Sequence, residues 1–103
     1  MSQFENVTVL HKANVYFDGK VTSHTVVFPD GSKKTLGVML PGQFEFNTDS
    51  SEIMKFLSGD LLALLPGETE WKPFSGGTQF DVPANSKFKV DVKSITSYIC
   101  SFG

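Results

Sequence analysis

Few side chains in this sequence have the chemistry that catalysis or ligand binding requires. The sequence contains no arginine, so an anion would have to be bound by lysine, hydroxyl or backbone N–H groups. The two histidines, His11 and His24, are thirteen residues apart, and lone histidines are more often surface or core residues than metal ligands. The single cysteine, Cys100, is expected to be an inert core thiol. Any chemistry here therefore depends on carboxylates, hydroxyls, lysines and aromatic rings.

The elements that must position these groups are short and β-like. Val21–Phe28 is rich in β-branched residues and leads through a Pro-Asp-Gly-Ser turn into Lys34–Leu40, which predicts a hairpin. Gln43–Asn47 alternates apolar and polar residues, as a half-buried strand does. Asp49–Glu52 could cap a helix, but Gly59 ends the following run too early for a stable helix, so a strand over Ser51–Ser58 is preferred.

The remaining runs continue the same pattern and complete an all-β prediction. About ten short strands recur at a spacing of roughly eight to ten residues, with little or no helix, which is typical of a β-sandwich or barrel. The other predicted strands are Val7–Leu10, Val15–Phe17, Leu61–Leu65, Glu70–Phe74, Thr78–Val82, Lys87–Val92 and Ser97–Phe102.

Length and composition exclude several classes of protein. The 103 residues suit one domain, residues 1–103, and the formal charge of −2 argues against a nucleic-acid polymer as partner. The sequence has no apolar run long enough to cross a membrane. The N-terminus lacks the basic-then-apolar order of a signal peptide, and a single cysteine suits a reducing compartment, so a cytoplasmic location is expected.

One set of spacings is more specific than the general β pattern. Glu52 is followed after six residues by Gly59, and Gly77 is followed after five residues by Pro83. With Gly37, which is expected to open a strand, these residues resemble the two motifs of the cupin superfamily, whose members are small jelly-roll barrels. The resemblance implies a single-domain cupin-type barrel.

The histidines of those cupin motifs are absent. Phe46 and Thr48 stand at the His-x-His positions of the first motif, and Phe88 stands at the histidine of the second. One carboxylate without imidazoles is not a transition-metal site, so neither a metal nor another cofactor is expected.

The resemblance narrows to one family over nearly the whole chain, from about Asn14 to Phe102. An ordered set of short motifs looks like the bacterial pyrimidine/purine nucleoside phosphorylase family, a group of single-domain, metal-free cupins. The motifs are Asn14-x-Tyr16-Phe17-x-Gly19-Lys20-Val21, Gly37-Val38-Met39 with Gly42, Glu52-x-Met54 with Ser58-Gly59, Leu64-Leu65-Pro66, Trp71, Phe80-x-Val82-Pro83 and Thr96-Ser97-Tyr98-x-Cys100.

The resemblance implies a reaction and, with it, a set of roles. Members of the family cleave purine and pyrimidine nucleosides reversibly with inorganic phosphate, giving free base and α-D-ribose 1-phosphate. The sugar develops positive charge as the base leaves, much as in glycoside hydrolysis. Glu52 is the candidate catalytic residue, either hydrogen-bonded to ribose or stabilising the cationic sugar. The candidates for substrate binding are Phe46 and Phe88 for the base, Thr48 for sugar or phosphate, Lys20 for phosphate, and Tyr16 through its hydroxyl.

Each of these residues also has a plain structural interpretation. Phe46 and Phe88 could simply fill the barrel, Glu52 could be a rim carboxylate, Thr48 a turn residue and Lys20 a solvated lysine. Two alternatives to an enzyme follow: a metal-free cupin that binds a small molecule without chemistry, and a structural dimer with a filled barrel. A homodimer is expected in any case, because sheet edges and apolar faces need covering.

Overall fold

Eleven β-strands and one short 3-10 turn make up the computed structural model, which describes residues 3–102. The strands are β1 (Thr8–Val9), β2 (Asn14–Tyr16), β3 (Val21–Val27), β4 (Lys33–Met39), β5 (Gly42–Asn47), β6 (Glu52–Ser58), β7 (Asp60–Leu64), β8 (Lys72–Ser75), β9 (Gln79–Val82), β10 (Lys87–Val92) and β11 (Thr96–Phe102). The 3-10 turn spans Phe17–Gly19. These described residues contain no α-helix, and hence none long and apolar enough to span a membrane.

The strands form two antiparallel sheets that share one core. The larger sheet has the order β1-β3-β4-β11-β6-β9, with β2 also paired to β3, and the smaller has the order β5-β10-β7-β8. Alternate residues of β10, namely Phe88, Val90 and Val92, are buried. They pack with residues of the larger sheet such as Met54 and Phe56 in a single apolar cluster. The period-two pattern of the sequence thus places one face of each sheet in the core.

The register of the strands brings the chemically interesting residues to one end of the molecule. In the smaller sheet, Phe88 lies directly opposite Phe46. In the larger sheet, Glu52 begins β6 and lies between Phe102 of β11 and Val82 of β9. Side chains from both sheets therefore meet where β5, β6, β10 and β11 begin or end.

The all-β prediction is confirmed, and so is the choice of a strand for the segment after Asp49. The run that could have been a helix is β6, Glu52–Ser58, and Gly59 with a φ of +102° follows it directly. The predicted bounds of the strands differ from the observed ones by at most two residues.

Gly37 does not open a strand as expected but lies inside β4. A Cβ atom there would collide with the carbonyl oxygen of Thr22 and with Ser23 on the neighbouring β3. The glycine is therefore required by the close approach of two strands rather than by a turn.

Phe17 also differs, since it belongs to the turn rather than to the preceding strand. Strand β2 ends at Tyr16, and Phe17, Asp18 and Gly19 all have positive φ angles, of 52°, 56° and 90°. A positive φ is rare for a bulky side chain such as phenylalanine. This left-handed turn places the ring of Phe17 against those of Phe44 and Phe46, with ring centroids 4.9 and 5.5 Å apart.

Candidate functional site

A cavity of about 190 Å3 opens between the two sheets at the end where these strands meet. Its wall includes residues of both sheets, among them Tyr16, Phe46, Asn47, Glu52, Phe88 and Tyr98. Four of the six residues proposed from the sequence thus lie around one space. A cavity of this size also argues against a barrel filled completely by side chains.

Aromatic rings form one wall of the cavity. The rings of Phe46 and Phe88 stack with centroids 5.3 Å apart and an interplanar angle of 25°. Phe88 is buried, whereas Phe46 is only partly buried. Phe17 meets the ring of Phe46 edge-on. The wall therefore offers an apolar, flat surface that suits a planar ligand.

Glu52 stands on the opposite wall and also borders a second cavity. That second cavity, of about 400 Å3, lies over the ends of β6, β9 and β11 and shares Glu52 and Phe102 with the first. The thiol of Cys100 donates a hydrogen bond to Oε1 of Glu52 at 3.4 Å. Glu52 is thus the ionisable group that lies at the border of both spaces.

Burial raises the pKa of the Glu52 carboxyl above its ordinary value. The hydrogen bond from Cys100 lowers this pKa, and the negative charge of Asp49 raises it further. Among residues 3–102, no lysine comes within salt-bridge distance of Glu52. The protein thus favours the neutral form of this carboxyl more than water does.

The floor of the cavity contains a phenol and a thiol that both remain neutral. Burial raises the pKa of Tyr98 to about 12 and raises that of Cys100 well above its ordinary range. Ser23 lines the same cavity and lowers the pKa of Tyr98, and its hydroxyl accepts a hydrogen bond from Asn14 Nδ2 at 3.2 Å. The floor is therefore polar but uncharged.

Several lining residues were not proposed as site residues from the sequence. Tyr98 and Cys100 alternate along β11 and thus point to the same face as the core. Their period-two spacing in the sequence was a usable signal. The sequence held no such signal for three other lining residues, Ser23, Thr35 and Asn47, because a single polar residue on a strand does not show which cavity it faces.

Thr48 and Lys20 lie outside the lining of both cavities. Thr48 is buried, and its hydroxyl donates a hydrogen bond to the Pro83 carbonyl at 2.7 Å and accepts one from Ser86 N–H at 3.0 Å. This hydroxyl ties the end of β5 to the turn before β10. Lys20 is exposed and follows the left-handed turn that begins after Tyr16.

The donor set does not fit the metal that many cupins bind. Phe46, Thr48 and Phe88 stand where imidazoles would be needed, and His11 and His24 are exposed elsewhere. Within residues 3–102, no group of three or more His, Cys, Asp and Glu side chains is placed to hold a metal ion. No step of a mechanism can be assigned to a metal with these residues.

The purified protein should therefore carry no stoichiometric zinc, iron, manganese or nickel. A site without imidazole ligands would have too low an affinity to retain such an ion through purification. Elemental analysis of the active protein measures this directly. Close to one metal ion per chain, with activity lost to a chelator, would contradict the expectation.

Comparison with known proteins places the chain in a family. The family model for pyrimidine/purine nucleoside phosphorylase matches residues 11–102. A protein of that name from Hydrogenovibrio crunogenus is 62% identical over 102 residues, which are 99% of this chain and 98% of that protein. The match confirms the family resemblance seen in the residues.

Solved structures agree with the fold. A protein of unknown function from Acinetobacter sp. ADP1 superposes with a TM-score of 0.97 and 43% identity over 100% of both chains. An RmlC-like cupin from Shewanella frigidimarina superposes with a TM-score of 0.72 at 15% identity, over 99% of this chain and 93% of that one. The second likeness confirms the cupin-type fold, and the chain belongs to the pyrimidine/purine nucleoside phosphorylase family and is an enzyme of that family.

Proposed function

We propose that the protein cleaves both purine and pyrimidine ribonucleosides with inorganic phosphate, reversibly, to free base and α-D-ribose 1-phosphate. The observation that supports this best is the cavity that faces a stacked pair of phenylalanines on one side and the Glu52 carboxyl on the other. Stacking requires only the flat face that every base has, so it does not discriminate between purines and pyrimidines.

The sizes of the two cavities suggest how a nucleoside would be divided between them. Ligand sites usually have at least about 300 Å3, and the cavity between the sheets has about 190 Å3. We therefore place the base against Phe46 and Phe88 in this inner cavity. The ribose would lie beside Glu52, where the inner cavity meets the larger outer one.

Broad specificity through one site has a simple test. Uridine and adenosine should each be converted, and each should inhibit conversion of the other competitively, with an inhibition constant equal to its own KM. Purified protein with saturating phosphate and chromatographic separation of the two bases would measure this. Conversion of both without mutual inhibition would contradict the single stacking site.

Phosphate is the substrate whose binding residues are hardest to assign. No lysine lies in the lining of either cavity within residues 3–102. Lys20 remains the proposed phosphate ligand because it directly follows the turn that begins after Tyr16, a lining residue. The neutral hydroxyls of the cavity are the alternative.

Replacing Lys20 with alanine should raise the KM for phosphate by about tenfold, the value of one charge-assisted hydrogen bond. The KM for nucleoside should change much less, because the proposed role is to bind the anion. Initial rates with each substrate varied in turn separate the two constants. Lys72→Ala is the matched control, since Lys72 is exposed on β8 at the edge of the smaller sheet. An equal effect on both constants, or none, would assign phosphate to the cavity hydroxyls.

The proposal extends to a homodimer in the cytoplasm. The outer face of the larger sheet exposes apolar side chains on the two strands that flank β11, namely Leu36 and Val38 of β4 and Leu57 of β6. Such a face is typical of a surface covered by a second copy. Cys100 is a buried free thiol, which suits a reducing compartment.

A further inference from the structure

We propose that Glu52 acts as a neutral carboxylic acid that donates its proton to the departing base. The inference rests on the proposed phosphorolysis and assigns the step that the reaction most needs help with. A purine or pyrimidine anion is a poor leaving group, and a proton donated to a ring nitrogen or carbonyl oxygen conjugated with the breaking bond makes it a better one.

The location of Glu52 is the first support. Its side chain lies at the border of the two cavities, next to the space in which the base would stack and next to the space in which the ribose would lie. The glycosidic bond joins base and ribose, so it would cross this border. A proton donor has to reach the base beside this bond.

The surroundings of Glu52 are the second support, because the described residues that line the two cavities supply apolar groups and negative charge but no positive charge. Asp49 precedes it in the turn before β6, and Asp81 of β9 lines the outer cavity with it. From β11 it is faced by the neutral Cys100 and Tyr98. The other lining side chains near it are Tyr16, Phe46, Met54, Phe88 and Phe102.

Cys100 has a positioning role in this arrangement. Its thiol donates to Oε1 of Glu52, and a thiol is a weak donor that stabilises a carboxylate only slightly. The contact fixes the rotation of the carboxyl group while leaving it able to hold a proton. A lysine or arginine at position 100 would instead hold Glu52 in the charged form.

The proton balance of the reaction closes within the site. The C1′–N bond breaks as a C1′–O bond to monohydrogen phosphate forms, and the proton of Glu52 moves to a ring nitrogen or carbonyl oxygen of the departing base. The proton of the phosphate then returns to Glu52. The enzyme is regenerated, and the products are the neutral base and ribose 1-phosphate. A neutral Glu52 also avoids repelling the phosphate dianion, which a carboxylate in the same cavity would do.

The first test compares two leaving groups in wild type and Glu52→Gln. Glutamine has nearly the same shape but cannot supply an acid proton. Uridine needs that proton, whereas nicotinamide riboside, whose glycosidic nitrogen is already positive, releases neutral nicotinamide without one. We expect kcat/KM for uridine to fall by about a hundredfold or more, and that for nicotinamide riboside by less than about fivefold. Glu45→Gln, on an exposed residue of β5, is the control.

An equal, large loss on both substrates would overturn the proposal and make Glu52 a stabiliser of the cationic sugar. Unchanged uridine cleavage in Glu52→Gln would also overturn it, while leaving the phosphorylase function in place. If wild type cleaves no nucleoside with phosphate, the proposed function itself fails, and this outcome is distinct from the other two.

The second test is the sign of the pH dependence, and it does not rely on nicotinamide riboside being a substrate. An acid must be protonated, so kcat/KM for uridine should fall as the pH rises through the pKa of Glu52. A carboxylate that stabilises positive charge would give the opposite pH dependence, with kcat/KM falling as the pH drops. We call the fall in kcat/KM towards high pH the alkaline limb of the pH profile. The alkaline limb should be absent from the pH profile of the residual activity of Glu52→Gln. This comparison separates the titration of Glu52 from the titration of phosphate.

Two Cys100 variants should shift the alkaline limb of the pH profile in opposite directions. Cys100→Ser provides a stronger donor to Oε1 and should shift the limb to lower pH. Cys100→Ala removes the donor and should shift it to higher pH. Shifts with the reverse signs, or a limb that falls towards low pH in wild type, would refute the neutral-acid role.

Discussion

Replacing Glu52 with alanine should lower kcat for both uridine and adenosine by about a hundredfold or more, with KM changed by less than about threefold. A proton donated, or a positive charge stabilised, as the glycosidic bond breaks contributes mainly in the transition state and little to substrate binding. Glu52 is half-buried at the mouth of two cavities rather than in the core, so the fold should tolerate the change. Steady-state kinetics with saturating phosphate measures both constants.

Glu45→Ala provides the matched comparison, because Glu45 is an exposed glutamate whose carboxylate lies 3.9 Å from Lys89 Nζ. Its kinetics should be those of wild type. Unfolding curves for both variants would show whether a loss of activity reflects a loss of structure. If Glu52→Ala raises KM alone, Glu52 only holds the ribose and takes no part in breaking the bond.

Replacing Phe46 with alanine should raise the KM for uridine and for adenosine by a similar factor, about tenfold. Stacking of a base on an aromatic ring contributes roughly 1–3 kcal/mol, and that contribution does not depend on which base is stacked. Phe46 is the better position to test than Phe88. Phe88 is 2% exposed, and its truncation would remove roughly 3–5 kcal/mol from the stability of a small domain.

Two further variants separate the effect of the aromatic ring from the effect of side-chain volume. Phe46→Tyr keeps an aromatic face and should bind both nucleosides almost as wild type does. Phe46→Leu keeps apolar volume without an aromatic face and should resemble Phe46→Ala. A rise in KM for only one of the two nucleosides would show that the base is recognised by its edge, and the stacking explanation of broad specificity would fail.

The sequence predicted the strands well because alternation of apolar and polar residues reflects burial directly. Gln43–Asn47 and Lys87–Val92 were identified with nearly their observed bounds, and Phe46 and Phe88 from these two strands lie opposite each other. Gly59 indicated that the segment after Asp49 is a strand rather than a helix, and this glycine, with its positive φ, does follow the strand directly.

What the sequence could not show is how the chain turns between strands. Thr48 is one residue beyond β5, and hydrogen bonds to Pro83 and Ser86 draw its hydroxyl away from the cavity. Lys20 follows a turn in which Phe17 adopts a positive φ, which no residue preference would predict. Cys100 contacts Glu52 across 48 residues of sequence, a proximity set by the pairing of β6 with β11.

The most direct test of phosphorolysis is the fate of the sugar, followed by phosphorus NMR during incubation of the purified protein with uridine and, separately, with adenosine. The signal of inorganic phosphate should decline as that of α-ribose 1-phosphate appears, in equal amounts with the free base, and neither base should be released when phosphate is omitted. Free ribose formed equally well without phosphate would show a hydrolase instead. A folded protein that consumes neither nucleoside would contradict the phosphorylase account altogether and leave a cupin that binds a small molecule without chemistry.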